Sequence, residues 1–313
     1  MINLTKKQNK FFHVALFCLM SISFFAGFLH PFFSTEQFHI LRIHVFLFNL
    51  ATGGLLLLMY SADSGRKKDV WLFGFISLIF TLSAALHYFS LAIASALILA
   101  IIVETIRIGR FSFFPYNFFR TDISVSDKFH HAALLCLSIA LIISAFSMIA
   151  DIADIPLPDK MNVDIFFLGF SFPVSLIVMA LIFQHMEKSR NKAESFFDNF
   201  IFWSVNVGVI IFFCVIILQW FYFQLLIAVM LAISVVLLSY FFIKRNIKSE
   251  HSPLLFSALS FLLIGAVSGA GYIVIKFYMA EQHNTLHKYI LELHRYVSLY
   301  GWNQTGLILL IND

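Results

Sequence analysis

The chain has 313 residues, of which 60% are hydrophobic and only 12% are charged, and its formal net charge is +4. A soluble domain carries about 25% charged residues, so this composition excludes an ordinary water-soluble fold. The basic residues lie in short segments beside apolar runs, where they set membrane topology, and nothing in the pattern indicates nucleic-acid binding. The sequence therefore predicts an all-α, polytopic membrane protein whose main partner is the lipid bilayer.

Apolar runs of about 20 residues recur along the chain, each long enough to cross a hydrocarbon core of ~30 Å as a helix. The third and fourth runs are nearly continuous, as are the seventh and eighth, so tight turns are expected at residues 87–90 and 219–220. We expect the first run to be kept as a helix, because it ends without a small-residue cleavage site. These runs predict one transmembrane helical domain over residues 1–313 with about ten spans, at 11–30, 39–61, 69–87, 89–107, 129–150, 163–185, 197–218, 220–243, 253–278 and 287–310.

The basic residues are distributed unequally between the two sides of this array. Sixteen of the 21 Lys and Arg residues fall on the side that holds both chain ends. Cytoplasmic loops carry the excess of Lys and Arg, so both termini are predicted to be cytoplasmic. The expected location is a cell membrane, as a multi-pass protein of a bacterial inner membrane. The poorer side holds five basic residues, Arg42, Lys160, Lys276, Lys288 and Arg295.

Two of the 12 histidines fall inside predicted spans rather than at span ends. His44 lies in the second span and His294 in the tenth, and a 1.5 Å rise per residue puts them about 8 and about 10 Å deep from the outer side. An ionisable side chain inside a membrane is a functional candidate by default. Two neutral imidazoles at one depth are also the axial ligand set of a bis-histidine haem.

The two histidines lie in similar local sequences. Residues 40–44 read Ile-Leu-Arg-Ile-His, residues 290–294 read Ile-Leu-Glu-Leu-His, and a Thr-Gly pair follows each at 52–53 and 305–306. Arg42 and Arg295 flank the histidines near the outer side, where a guanidinium suits a haem propionate because it offers a bidentate fork. Ordinary interfacial arginines are the alternative interpretation of these two residues.

Other polar groups predict further sites or contacts. His283, His287 and His294 share one helix face, so a second metal site is a hypothesis, with His39 or His30 contributing, and a polar lining is its alternative. Glu104 and Arg107 are spaced to pair with each other. Gly265, Gly269 and Gly271 predict a close helix-packing face, in which the first two have the small-xxx-small spacing. The histidines at span ends, including His130 and His131, are interpreted as amphipathic residues in the wet interfacial zone.

With histidines on helices two and ten, the chain resembles the core subunit of haem-copper oxidases and their smaller, NnrS-like relatives that lack the copper site. The resemblance implies that His44 and His294 hold a low-spin haem b. The oxidases also need copper-binding histidines on helices six and seven. Here the sixth span has only His185, the seventh has none, and residues 292 and 296 are Glu and Tyr. Oxygen or nitric oxide reduction is therefore not expected, and no enzymatic activity is predicted.

The sequence thus predicts a membrane b-haem protein that transfers electrons or senses a redox state or ligand, together with a redox partner or another membrane subunit. Two alternatives stay open from sequence alone. One is a transporter for a small solute or metal ion, for which outer histidines would line an entry. The other is a non-catalytic membrane subunit of a sensor or assembly complex.

Overall fold

The computed structural model describes residues 6–33, 39–157, 169–186, 188–189, 191–245, 250–278 and 284–312. This part of the chain is helical and contains no β-strand. Two π-helices, π1 (Phe46–Gly54) and π2 (Val297–Asn303), interrupt longer helical stretches, and short 3₁₀ turns lie at Ser64–Arg66 and Tyr116–Phe118. The α-helices are α1 Lys6–Phe33, α2 Ile40–Val45, α3 Leu55–Ser61, α4 Lys67–Ala85, α5 Phe89–Arg110, α6 Val125–Ile152, α7 Phe170–His185, α8 Lys192–Ile217, α9 Phe221–Lys244, α10 Ser252–Tyr278, α11 Asn284–Tyr296 and α12 Gln304–Asn312.

Within the described ranges, eight helical stretches are long and apolar enough to cross a membrane. They confirm the prediction of an all-α chain with many apolar helices, whereas the count of ten and the orientation stay predictions. Helix α7 is apolar but has only 16 residues. The stretch predicted as the tenth span begins with α11, which carries polar side chains along one face and is not among the eight. Those eight are Phe12–Leu29, Ile40–Ser61, Ser64–Ala85, Phe89–Arg110, Val125–Ile152, Lys192–Ile217, Phe221–Lys244 and Ser252–Lys276.

Three helices end at a residue that adopts the left-handed conformation although it is not glycine. His87, Asp154 and Gln219 have φ angles of 61°, 50° and 56°. In each case the next amide donates to a carbonyl five residues earlier, which is the Schellman arrangement that closes a helix C-terminus. The turns expected at residues 87–90 and 219–220 are confirmed. The closing bonds are Tyr88 to Ser83 (2.8 Å), Ile155 to Ala150 (2.9 Å) and Trp220 to Val215 (3.0 Å).

Contacts between residues divide the chain into two compact units, and each is described by itself. The first comprises residues 1–120 and 130–177, and the second comprises residues 121–129 and 178–313. The single domain over residues 1–313 therefore stays a prediction. The first unit has an aromatic core in which Phe46 lies 4.9 Å from Phe80 and 5.4 Å from Phe170, measured between ring centroids.

The second unit contains a helical hairpin of α8 and α9 that packs closely. Gly208 on α8 leaves room for Met230 and Leu231 on α9, since a β-carbon there would lie 2.9 Å from the Met230 methyl. Small residues allow two helices to approach in this way inside a membrane, where packing rather than the hydrophobic effect drives association. The hairpin therefore gains its stability from contact of the two helices along their length.

Candidate functional site

His44 is a buried residue of α2 whose imidazole is bonded to the first helix. Its Nδ1 lies 2.8 Å from the backbone oxygen of Ser23 on α1, and only 4% of the residue is exposed. The Ser23 hydroxyl in turn donates to the His44 carbonyl at 2.8 Å. Two hydrogen bonds in opposite directions therefore fix both the ring and the backbone of His44 against α1.

Gly27 makes this contact sterically possible. A helical β-carbon is tilted towards the N-terminus, so residue 27 sits over the carbonyl of residue 23 one turn earlier. A β-carbon at position 27 would lie 2.7 Å from Nδ1 of His44, well inside contact distance. Glycine at this position leaves the Ser23 carbonyl open to the imidazole.

His294 has the same setting in the second unit. Its Nδ1 lies 2.8 Å from the backbone oxygen of Gly265 on α10, and a β-carbon at Gly269 would lie 2.9 Å from the His294 ring. The predicted packing face is confirmed for Gly265 and Gly269 but is wrong for Gly271, since nothing lies within 4 Å of a β-carbon there. Besides allowing the helices to approach closely, this face leaves the Gly265 carbonyl accessible to His294.

A π-helix follows each of these histidines. The first, π1, begins two residues after His44, and π2 begins three residues after His294. π-Helical turns are rare, and they occur frequently at functional sites. The two units therefore share a pattern made of an open helical carbonyl, a glycine four residues later, an imidazole bonded through Nδ1 and a π-helix.

The hydrogen bonds of His44 and His294 determine which ring nitrogen carries the proton. A backbone carbonyl only accepts, so Nδ1 must donate and the proton of the neutral ring sits there. The lone pair is then on Nε2, which is the nitrogen that can bind a metal ion. Metal-bound histidines commonly have their other nitrogen fixed by a carbonyl in this way.

The aromatic residues near the two histidines differ in their exposure. Phe46 and Phe48 on π1 are fully buried. Tyr296, by contrast, is 61% exposed and stacks on Tyr300 with 5.7 Å between ring centroids. An apolar environment of fixed aromatic side chains is thus formed around π1 within the first unit.

The two flanking arginines also have different surroundings. Arg42 is half-buried, donates through Nη1 to the Ala84 carbonyl at 2.8 Å and lies 5.9 Å from the Phe89 ring centroid. Arg295 is exposed. His44 and Arg42 belong to the first unit and His294 and Arg295 to the second, so the pairing of the two histidines stays a prediction.

The residues suggested for a second metal site are only partly described. His39 lies 4.8 Å from His87 between ring centroids, whereas His287 stacks on Tyr272 at 4.6 Å. The His283 position and the His30 side chain lie outside the described residues. In the part of the chain that is described, no group of three or more His, Cys, Asp or Glu side chains is arranged to hold a metal ion. Desolvation and the nearby Arg42 charge lower the pKa of His87.

The interpretation of His130 and His131 as wet interfacial residues is wrong, because both are buried in the first unit. His131 accepts a 2.8 Å hydrogen bond at Nε2 from the Arg107 guanidinium, and His130 lies 2.6 Å from the Ser61 hydroxyl. The predicted pair of Glu104 and Arg107 is confirmed, at 2.6 Å. Sequence reasoning missed both histidine contacts, since the partners come from three different helices.

A second polar cluster, in the second unit, could not be seen from sequence either. Arg245 is almost fully buried and makes a bidentate ion pair with Asp198, at 2.8 and 3.0 Å. Glu194 lies 3.5 Å from the same guanidinium and 3.2 Å from Lys244. The paired residues lie about 50 positions apart, so no local sequence pattern indicated these ion pairs. The position of a charged residue at the start or end of an apolar run is a weak signal of such a pair.

No protein-family model matches the chain, and no curated protein or solved structure matches it.

Proposed function

We propose that this chain is a membrane protein that binds one low-spin b-type haem and uses it to transfer electrons or to sense a redox state. His44 and His294 are the proposed axial ligands, and Arg42 and Arg295 are proposed to hold the propionates. The observation that carries the proposal is the shared setting of the two histidines. Each donates Nδ1–H to a helical carbonyl, which leaves the lone pair on Nε2.

The chemistry of this arrangement suits a haem ligand for two reasons. The carbonyl bond fixes the tautomer and the ring orientation and raises the basicity of Nε2. The glycines at positions 27 and 269 allow the rings to reach those carbonyls. A histidine with a purely structural role needs only a hydrogen-bond partner. That need does not explain why both units have a carbonyl partner, the same glycine spacing and a following π-helix.

When bound, the haem would supply a one-electron redox centre. The residues of this chain would orient it and tune it. A buried His44 beside the aromatic π1 residues gives a low-dielectric environment. The axial ligands and the hydrogen bonds from their Nδ1 atoms to helical carbonyls would set the redox potential. The chain has no Cys-x-x-Cys-His motif, so the proposed haem is not covalently attached.

The test is a reduced-minus-oxidised difference spectrum of purified protein expressed with ample haem supply. The expected result is the α and β bands of a low-spin b haem, at one haem per chain. His44→Ala and His294→Ala should each remove them. Two control variants, His87→Ala in the first unit and His185→Ala in the second, should keep them. A flat spectrum of the unsubstituted, haem-supplied protein would contradict the proposal.

A further inference from the structure

The loop between α5 and α6 presents a cluster of exposed aromatic side chains, which we call the aromatic platform. It consists of Phe113, Phe114, Tyr116 and Phe119, with exposed fractions of 63%, 57%, 67% and 75%. Exposed apolar patches of this kind mark interaction surfaces. The haem proposal does not involve these residues.

The aromatic platform stands on an ordered base rather than on a loose loop. Arg107 is buried at the end of α5 and donates to the carbonyls of Ser112 and Phe113 at 2.8 and 3.0 Å. Phe111 stacks flat on the buried His131 ring, with 4.6 Å between centroids and 2° between planes. Backbone and side-chain contacts therefore hold the loop in one conformation.

The aromatic side chains of the loop point in two directions, inwards and outwards. Phe111 and Phe118 turn inwards and pack against His131, at 4.6 and 5.0 Å between ring centroids. The four platform residues turn outwards. A chain that only needed a tight connection would not expose its four remaining aromatic side chains, because each of them adds apolar surface to water.

The charge pattern identifies what covers this surface. The segment between Glu104 and Asp122 carries three arginines and no acidic residue, and of these Arg110 and Arg120 are exposed at the two ends of the loop. The loop also joins two helices that are apolar enough to span a membrane. Aromatic side chains with neighbouring basic residues at the ends of spans are typical of the bilayer interface, where headgroup phosphates complement the cations.

We infer that the aromatic platform inserts into the headgroup and upper acyl layer of the bilayer at the basic end of the helices. The platform is thus a lipid-binding surface that anchors the α5–α6 loop, and anionic lipid is its preferred environment. Because its base includes Arg107, His131 and Glu104, the same network that holds the loop also couples it to the interior of the first unit.

The experiment uses site-directed spin labels in nanodiscs of mixed anionic and zwitterionic lipid. Cys18, Cys136 and Cys214 are first replaced by Ala, and single labels are then placed with Phe114→Cys or Phe119→Cys. The matched control is Ser64→Cys, an exposed residue in the neighbouring loop at the same helix ends, since Arg66 donates to the Thr105 carbonyl of α5. Power saturation compares collisions with oxygen, which partitions into lipid, and with a polar nickel chelate, which stays in water.

The expected result is an oxygen-to-nickel accessibility ratio several-fold higher at positions 114 and 119 than at position 64. Ratios equal to that of position 64 would show a water-exposed loop and overturn the inference. Exclusion of both reagents would also overturn it, because it would mean that protein covers the platform. If a cysteine variant does not fold, Phe119→Trp is tested with brominated lipids, and lack of additional quenching relative to the unsubstituted protein overturns the inference.

Discussion

At the scale of single residues, two glycines are required for the hydrogen bonds of the candidate histidine ligands. Gly27 and Gly269 do not adopt a special backbone conformation. They are required because a side chain there would cover the carbonyl to which His44 or His294 is bonded. A sequence search for histidines finds the imidazoles, but these glycines determine whether the rings can dock.

The first prediction compares two glycines of α10 that lie two residues apart. Gly269→Ala should displace His294, since the new β-carbon would lie 2.9 Å from the ring, whereas nothing lies within 4 Å of a β-carbon at Gly271. Loss of the hydrogen bond that orients a ligand histidine weakens metal binding by about 10–100-fold. Haem titration should therefore show weaker binding for Gly269→Ala and unchanged binding for Gly271→Ala. Equal affinities in the two variants would contradict the assigned role of the glycine.

The second prediction concerns Gln219, which is exposed and has a φ of 56° between α8 and α9. The left-handed conformation costs a non-glycine residue roughly 1 kcal/mol. Gln219→Gly should therefore raise the apparent Tm of the protein by a few degrees, measured in detergent by a thermal-shift assay. Gln219→Ala keeps the steric cost and serves as the control. A gain for alanine equal to that for glycine would show that the turn conformation is not the cause.

At the scale of helices, the most informative element is the π-helix. Among the described residues, π1 and π2 each follow a histidine, and each is followed by a short α-helix, α3 in one case and α12 in the other. The wider π turn shifts the register of all later side chains relative to the histidine. A helical wheel drawn from the sequence at 100° per residue therefore misplaces the residues after 46 and after 297.

The α8–α9 hairpin provides a prediction at this scale. Arg245→Ala should destabilise the hairpin strongly, because it leaves the carboxylate of Asp198 buried without its bidentate partner. Removal of one partner of a buried ion pair costs roughly 3–5 kcal/mol. The measurement is the loss of apparent Tm and of folded yield after detergent extraction.

Lys244→Ala is the matched control for this change. Lys244 also bonds Glu194, but its side chain is 48% exposed, so its removal should cost less than about 1 kcal/mol. Similar losses in the two variants would mean that the guanidinium contributes no more than an exposed surface charge. Asp198→Asn combined with Arg245→Met should recover part of the stability, since that pair leaves no uncompensated buried charge.

At the scale of the whole molecule, the open prediction is the topology of the helical array. The split of sixteen basic residues against five predicts that both termini are cytoplasmic. Reporter fusions should be cytoplasmic after residues 67, 118, 190 and 247, and external after residues 35, 156 and 284. A well-expressed fusion of the opposite sense at any of these sites would refute the ten-span model. The sixth predicted span is not among the eight helices that qualify within the described part of the chain. Fusions at 190, 247 and 284, which follow that span, are therefore the most decisive.

From sequence alone it was possible to predict a membrane environment, most of the apolar helices and the two tight turns. The boundaries of the apolar runs predicted the helix ends to within a few residues, as at α4 and α9, because the length and polarity of a span are local properties. The sequence also selected His44 and His294, since an ionisable residue inside an apolar run is visible without any structure. The pair of Glu104 and Arg107 was also predictable from sequence, because residues three positions apart lie on one helical turn.

The contacts of these residues could be identified from the three-dimensional packing of the helices but not from the sequence. Contacts between different helices supply the carbonyl partners of His44 and His294 and bury His130 and His131. Such a contact also pairs Arg245 with Asp198. Such contacts depend on the register and rotation of one helix against another, which hydrophobic length does not encode. The tautomer of each candidate ligand therefore follows from packing, because the proton goes to the nitrogen that faces a neighbouring carbonyl.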